Sequence, residues 1–204
     1  MANFIRHVPN ILTFLRLGVI PIFVVLMINP SQSMIYVALG IFIFAALTDY
    51  VDGLVARKWE VVSDFGKLLD PLADKILVMA ALVMLVAQRT DVLGEPWVPG
   101  WIVVVILARE IWVTGVRGFA AHKGVIVAAG QSGKLKSVLQ MGAIAFLILH
   151  HHAFEVGGLT ITCGLIGMNL LLISIVFSYV SAVEYTYQVM WVSDGAPTPK
   201  SRKS

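Results

Sequence analysis

Apolar residues run along this chain in six long blocks separated by short polar stretches, at roughly 11–29, 34–57, 67–88, 98–121, 134–152 and 160–190. Most of these blocks match or exceed the about 20 residues that a helix needs to cross a bilayer core. The pattern predicts an all-α membrane protein of six transmembrane helices, the last long enough to run past the lipid. The connections, among them NPSQS and QRTDVLGEPWVPG, are too short to hold a second domain. No inverted repeat of the kind common in transporters is visible. Residues 1–193 read as one six-helix domain, and 194–204 as a disordered basic tail. Phe4 and Ile5 beside Arg6 suggest a short N-terminal interfacial helix that Pro9 ends, with Asn10 capping the first span. The stretch MANFIRHVPN has no small-residue cleavage site and does not read as a signal peptide.

Composition strengthens this picture. Of 204 residues, 58% are hydrophobic and 13% charged, which excludes an ordinary soluble domain. Mean hydropathy is +0.87. The basic residues are placed asymmetrically. With six spans both termini share a side, and that side receives Arg6, Arg16, Arg57, Lys58, Lys67, Lys75, Arg117, Lys123, Lys134, Lys136, Lys200, Arg202 and Lys203. The other side receives only Arg89. The positive-inside rule puts both termini in the cytoplasm. The partner implied is the lipid bilayer, not nucleic acid. Cys163, the single cysteine, has no internal disulfide partner and reads as a small apolar filler.

The stretch DYVDGLVARKWEVVSDFGKLLDPLADK, residues 49 to 75, breaks the apolar pattern. Asp49 and Asp52 are three apart near the end of the second span, so they share a helical face. They also sit where the helix dipole disfavours anions, and a charge at membrane depth costs roughly 2.5–3.5 kcal/mol. Asp70 and Asp74 are four apart at the start of the third span and share a face too. Asp70 before Pro71 could be a plain N-cap, but capping does not account for Asp49 and Asp52. A short connection makes the two spans antiparallel neighbours, so the four carboxylates can converge near the cytoplasmic interface. Together they would repel or protonate unless cations neutralise them. Oxygen-only ligation suits Mg²⁺ or Mn²⁺, and two such ions would balance four carboxylates. Paired metals are a known device for phosphate displacement. Gly53, Ala56 and Gly66 would let a ligand approach the backbone, and Arg57 offers a forked donor for phosphate. Each of these also has a plain reading as a helix contact or a headgroup anchor.

The pattern Asp49-x2-Asp52-Gly53-x2-Ala56-Arg57-x8-Gly66-x3-Asp70-x3-Asp74 resembles the signature of the CDP-alcohol phosphotransferases at every fixed position. That resemblance implies a six-span enzyme with its active site at the cytoplasmic interface. Asp49, Asp52, Asp70 and Asp74 would form a binuclear metal site, with Asp74 the catalytic base. Asp52, Gly53, Ala56, Arg57, Ser63 and Gly66 would hold the CDP-alcohol. The family also includes homodimers.

Two further stretches bear on the acceptor. PNILTFLR, residues 9 to 16, is similar to the N-terminal motif of the bacterial branch that makes phosphatidylglycerophosphate. The likeness places Thr13 by the nucleotide. Arg16, two turns into the first span, would otherwise snorkel. AREIWVTGVRGFAAHKG and QSGKLKSVLQM resemble the same branch through Arg109, Glu110, Arg117, Gly133, Lys134, Lys136, Gln140 and Met141. Arg109 lies deep in an apolar span and needs an anion, and Glu110 is adjacent rather than on its face. Arg109, Arg117, Lys134 and Lys136 would make a pocket for a second phosphate, so the acceptor would be sn-glycerol 3-phosphate and the lipid donor CDP-diacylglycerol. The location implied is the bacterial inner membrane. An inositol phosphate or phosphatidylglycerol acceptor is the alternative within the family, and a cation transporter the alternative outside it. On the opposite side, His150, His151 and His152 read as a solvated loop, and Trp97 and Trp101 as aromatic-belt anchors.

Overall fold

The computed structural model describes the backbone of residues 2–59, 64–90, 94–124 and 131–193, and the side chains of 14–48, 72–73, 75–90, 94–124, 135–155 and 157–193. Six helices follow one another: α1 (Ala2–Leu26), α2 (Gln32–Trp59), α3 (Asp64–Ala87), α4 (Gly100–His122), α5 (Gln131–Ile148) and α6 (Cys163–Ser193). A hairpin of β1 (Ala153–Val156) and β2 (Leu159–Thr162) joins the last two. Five helices match their apolar blocks to within a few residues, and α1 begins nine residues before its block.

Among the described residues α6 is the one helix both long and apolar enough to cross a membrane, with shorter apolar stretches in α1, α2, α3 and α5. The outward surface is rich in large apolar side chains. Trp101, Val104 and Ile111 on α4 and Val176, Val180 and Val183 on α6 are all exposed. A soluble monomer rarely shows apolar surface on this scale.

The helices pack as two groups of three. Among the described residues α1 packs on both α2 and α3, and these two touch each other less. The α5–α6 contact is the most extensive in the molecule, and α4 leans on α6. Fewer contacts join the two groups, and they run mainly from α2 and α3 to α5 and from α3 to α4. Phe23, Met27, Phe42, Leu77, Leu85, Ile102 and Ile144 fill the shared core.

Two expectations about the chain ends of these elements are corrected. Pro9 does not end a separate interfacial helix, since α1 runs unbroken from Ala2 through it. Pro9 lacks the N–H that would bond the carbonyl four residues before it, yet the turns on both sides of it stay helical. The loop expected after α5 is a tight hairpin instead. Gly157 and Gly158 both have positive φ, 60° and 83°. That is what a two-residue turn matching strand twist requires.

The histidine stretch and Trp97 also differ from expectation. Trp97 is buried rather than an interfacial anchor, whereas Trp101 is exposed as expected. The chain after α3 folds back on itself through an Arg89–Pro96 bridge. This carries Trp97 against His150, whose ring stacks on the indole at 4.8 Å and 6°. His151 meets both the indole and the His150 ring edge-on, at 5.1 and 5.2 Å. Cys163 is buried and free, as a filler should be.

Glycine sets the α5–α6 spacing. A Cβ on Gly167 would lie 2.7 Å from Leu147 Cγ and 2.9 Å from both the Ala143 carbonyl oxygen and the Leu147 nitrogen. Two of these three atoms are backbone and cannot swing aside. We expect Gly167→Ala to destabilise the protein by about 1–3 kcal/mol through overpacking. Gly142→Ala, where a Cβ meets nothing within 4 Å, is the control. Thermal denaturation in detergent micelles separates the two, and equal midpoints would contradict the tight contact.

Candidate active site

The sequence-predicted site lies where α2 ends and α3 begins. Gln88 Nε2 donates to the Met27 carbonyl at 2.5 Å, so the end of α3 meets the end of α1, just before α2 starts. α3 therefore runs back antiparallel to α2, as the short connection predicts. In helical register the buried stripe Ala38, Phe42 and Ala45 of α2 continues to positions 49, 52 and 56 at steps of three and four. On α3 the buried residues Ala73, Leu77 and Ala81 share a face with positions 70 and 74. On α1, Arg16, Ile20, Phe23 and Met27 form the corresponding inward stripe. Arg16 is 1% exposed, so it faces the bundle interior and does not snorkel.

The side chains of Thr13, Asp49, Asp52, Gly53, Ala56, Arg57, Gly66, Asp70, Asp74 and Lys134 lie outside the described ones, and so does Ser63 altogether. Among the described residues no group of three His, Cys, Asp or Glu could hold a metal ion. The donor chemistry of the four aspartate positions does fit a hard divalent cation, because it supplies only carboxylate oxygens.

A polar cluster lies beside this end of α3, in the seam between the two helix groups. Arg109 is buried on α4, and its Nε donates to the Ser178 carbonyl of α6 at 2.9 Å. Its Nη1 reaches Glu110 Oε1 at 2.8 Å. The same carboxylate oxygen accepts from Lys136 Nζ of α5. Glu110 is thus the anion that Arg109 requires, contrary to the expectation that an adjacent residue could not serve. Both side chains are long, and Lys136 draws the carboxylate inward from the next helix. Lys75 Nζ donates to Thr114 Oγ1 at 2.5 Å, which in turn donates to the Glu110 carbonyl at 2.7 Å.

Lys75, Glu110, Lys136, Ser137, Gln140 and Met141 line a small open cavity whose apolar floor includes Val78 and Leu82. Lys75 follows Asp74 directly, so the cavity adjoins the aspartate end of α3. Arg117 stands apart from this cluster, about 12 Å further along α4. It is exposed, with its guanidinium 5.7 Å from the centre of the Tyr185 ring. Glu110 and Lys75 are the members that sequence reasoning undervalued. Glu110 carried a signal in its step of four residues to Thr114, whereas Lys75 carried none, and its meaning shows only once α3, α4 and α5 are brought together.

The family model for CDP-alcohol phosphatidyltransferases matches residues 6–191. The chain belongs to the CDP-alcohol phosphatidyltransferase family. Its curated relatives carry more specific names. A Bacillus subtilis protein, CDP-diacylglycerol–glycerol-3-phosphate 3-phosphatidyltransferase, is 43% identical over 161 residues, which covers 73% of this chain and 80% of that protein. A Rickettsia typhi protein of the same name is 42% identical over 145 residues, covering 71% of this chain and 77% of that one. A Mycobacterium tuberculosis protein named probable phosphatidylglycerophosphate synthase is 39% identical over 149 residues, covering 71% and 67%. CDP-alcohol phosphatidyltransferases generally use divalent metal ions, which agrees with the carboxylate donor set at positions 49, 52, 70 and 74.

Proposed function

We propose that this chain transfers a phosphatidyl group from CDP-diacylglycerol to sn-glycerol 3-phosphate, giving phosphatidylglycerophosphate and CMP. The observation that carries this reading is the aspartate signature, whose positions continue the buried stripes of α2 and α3 in helical register, next to a cavity lined by cations from α3 and α5. The names of the relatives support the same reaction. Asp49, Asp52, Asp70 and Asp74 would hold two divalent ions, Mg²⁺ or Mn²⁺. Such ions, when bound, polarise a diphosphate and stabilise a departing phosphate.

The chain's own residues do the rest. Thr13, Asp52, Gly53, Ala56, Arg57, Ser63 and Gly66 seat the CDP-diacylglycerol. Arg109, Lys134 and Lys136 serve the acceptor phosphate, with Glu110 fixing the position of Arg109 and Lys136; Arg117, which stands outside this cluster, is assigned to the same phosphate by the family resemblance alone. Asp74 takes the proton of the acceptor 1-hydroxyl. The oxygen then attacks the lipid-side phosphorus, the bond from that phosphorus to the bridging oxygen breaks, and CMP leaves with its electron pair.

The same reading sets the protein in a bacterial inner membrane with six spans and both termini cytoplasmic. α1 is about 37 Å long, more than the hydrocarbon thickness, so its first turns extend into the interface. Residues 1–193 form the catalytic domain, and the enzyme works as a homodimer. Residues 194–204 lie outside the described ones.

The test is CMP release by purified protein in detergent micelles with CDP-diacylglycerol and Mg²⁺. Glycerol 3-phosphate, inositol phosphate, serine and phosphatidylglycerol are supplied separately. Release with glycerol 3-phosphate alone is expected, and chelation should stop it. In the same assay Arg117→Ala should raise the KM for glycerol 3-phosphate by roughly tenfold, the loss of one charge-assisted phosphate contact. The KM for CDP-diacylglycerol should hardly move. Release with a different acceptor would overturn the acceptor assignment while keeping the transfer chemistry.

A further inference from the structure

A second cavity opens at the other end of the bundle. Its polar wall is Gln32, Gln88, Arg89, Trp97, His151 and His152. Along α2, residue 32 is roughly 25 Å from position 49, so this cavity is remote from the aspartates. Its described lining has one permanent cation, two imidazoles, two amides and an indole, and no carboxylate. The Arg89 guanidinium forms no hydrogen bond or ion pair with another described residue, while its backbone is fixed. The Arg89 carbonyl accepts from Trp97 Nε1 at 3.2 Å. The Gln88 carbonyl accepts from the Trp97 nitrogen at 3.1 Å, and Thr90 donates to the Glu95 carbonyl at 2.8 Å. The Gln88 side chain ties this turn to α1.

The opposite wall is equally ordered. His152 Nε2 is 2.9 Å from Tyr36 Oη. When the tyrosine donates, the proton of the neutral imidazole sits on Nδ1, which makes His152 a donor there. Trp97 is clamped by His150 stacked on one face and by His151 at its edge, 5.1 Å away. The His150 ring in turn lies on α6 where Gly164 leaves room, since a Cβ there would come within 2.6 Å of Nδ1. Trp97 Nε1 and the Gln88 amide are already bonded to backbone carbonyls, which leaves the forked Arg89 guanidinium and the His151 and His152 rings to meet a ligand in this ordered cavity, and a guanidinium of that kind suits phosphate.

We propose that this cavity binds one phosphate group, presented as a lipid phosphodiester headgroup or as free phosphate. Its position among the ends of α1, α3 and α5 and the start of α2 places it at the membrane face opposite the aspartate site, where headgroups of the far leaflet lie. The site is independent of the transfer reaction proposed above.

The test uses the full chain in neutral detergent micelles. In one arm, native mass spectrometry counts phosphatidylglycerol retained by the protein, with diacylglycerol as the headgroup-free control. In the other, equilibrium dialysis measures inorganic phosphate. Wild type is compared with Arg89→Gln, and with His152→Gln as a second variant should the first not elute as wild type on size exclusion. One equivalent lost, or bound roughly tenfold more weakly, is expected in the variants. A difference in the lipid arm alone identifies a headgroup, and a difference in the phosphate arm identifies the free anion. Equal binding by wild type and variants in both arms overturns the proposal.

Discussion

Asp74→Asn abolishes CMP release, by at least the 10²–10⁴-fold that a positioned proton acceptor contributes. Asparagine keeps the size of the side chain and a carbonyl oxygen, but it cannot accept a proton at neutral pH. If Asp74 is the base, the acceptor hydroxyl stays protonated while binding of CDP-diacylglycerol is retained. Divalent-ion binding falls only in part, because Asp49, Asp52 and Asp70 keep three carboxylates. The measurement pairs CMP release with Mn²⁺ binding followed by electron paramagnetic resonance. Metal affinity lost to the same degree as activity would move Asp74 from base to structural ligand. Register gives the assignment its physical footing. Position 74 stands one turn inward from position 70, on the face that carries Ala73 and Leu77, and Lys75 beside it lines the cavity.

Glu110→Gln gives the second large effect. The Glu110 carboxylate is shared by Arg109 and Lys136, and all three side chains are little exposed, at 14%, 7% and 11%. Glutamine preserves shape and one acceptor oxygen but leaves two cations facing each other with no anion between them. Removing one partner from a buried ionic group typically destabilises by about 3–5 kcal/mol. The thermal midpoint in micelles should therefore fall sharply. The doubly substituted protein Glu110→Gln with Lys136→Gln should recover part of that loss, because one of the stranded charges is gone. A double variant no more stable than the single would place the destabilisation elsewhere. Activity should fall as well, since Arg109 and Lys136 lose the group that holds them.

The helices were legible because each apolar block is long and bounded by polar residues, so α2, α3 and α4 stand within a few residues of their expected spans. The aspartate signature was legible because spacing on a helix fixes the face without any tertiary information. The parts that were hidden depend on contacts between helices. Glu110 was set aside as a partner of Arg109 because consecutive residues diverge by about 100° on a helix. Lys136, from a helix some 26 residues later, brings the carboxylate round. Trp97 resembled an interfacial anchor until the Arg89–Pro96 bridge folded it inward. The hairpin carried its signal in Gly157-Gly158, but its strands are only four residues each and stood between stronger helical patterns.

The grouping of helices into α1–α3 and α4–α6 has an evolutionary corollary. All four aspartates lie on the first group, and the residues assigned to the acceptor phosphate lie on the second. On the roles proposed above, diphosphate cleavage and most of the choice of alcohol would be held on separate halves that meet at one seam, with Lys75 of α3 reaching across it. Mutations in α4 and α5 can retune the acceptor while the carboxylates stay in place, so a chain of this architecture can acquire a new product without rebuilding its reaction.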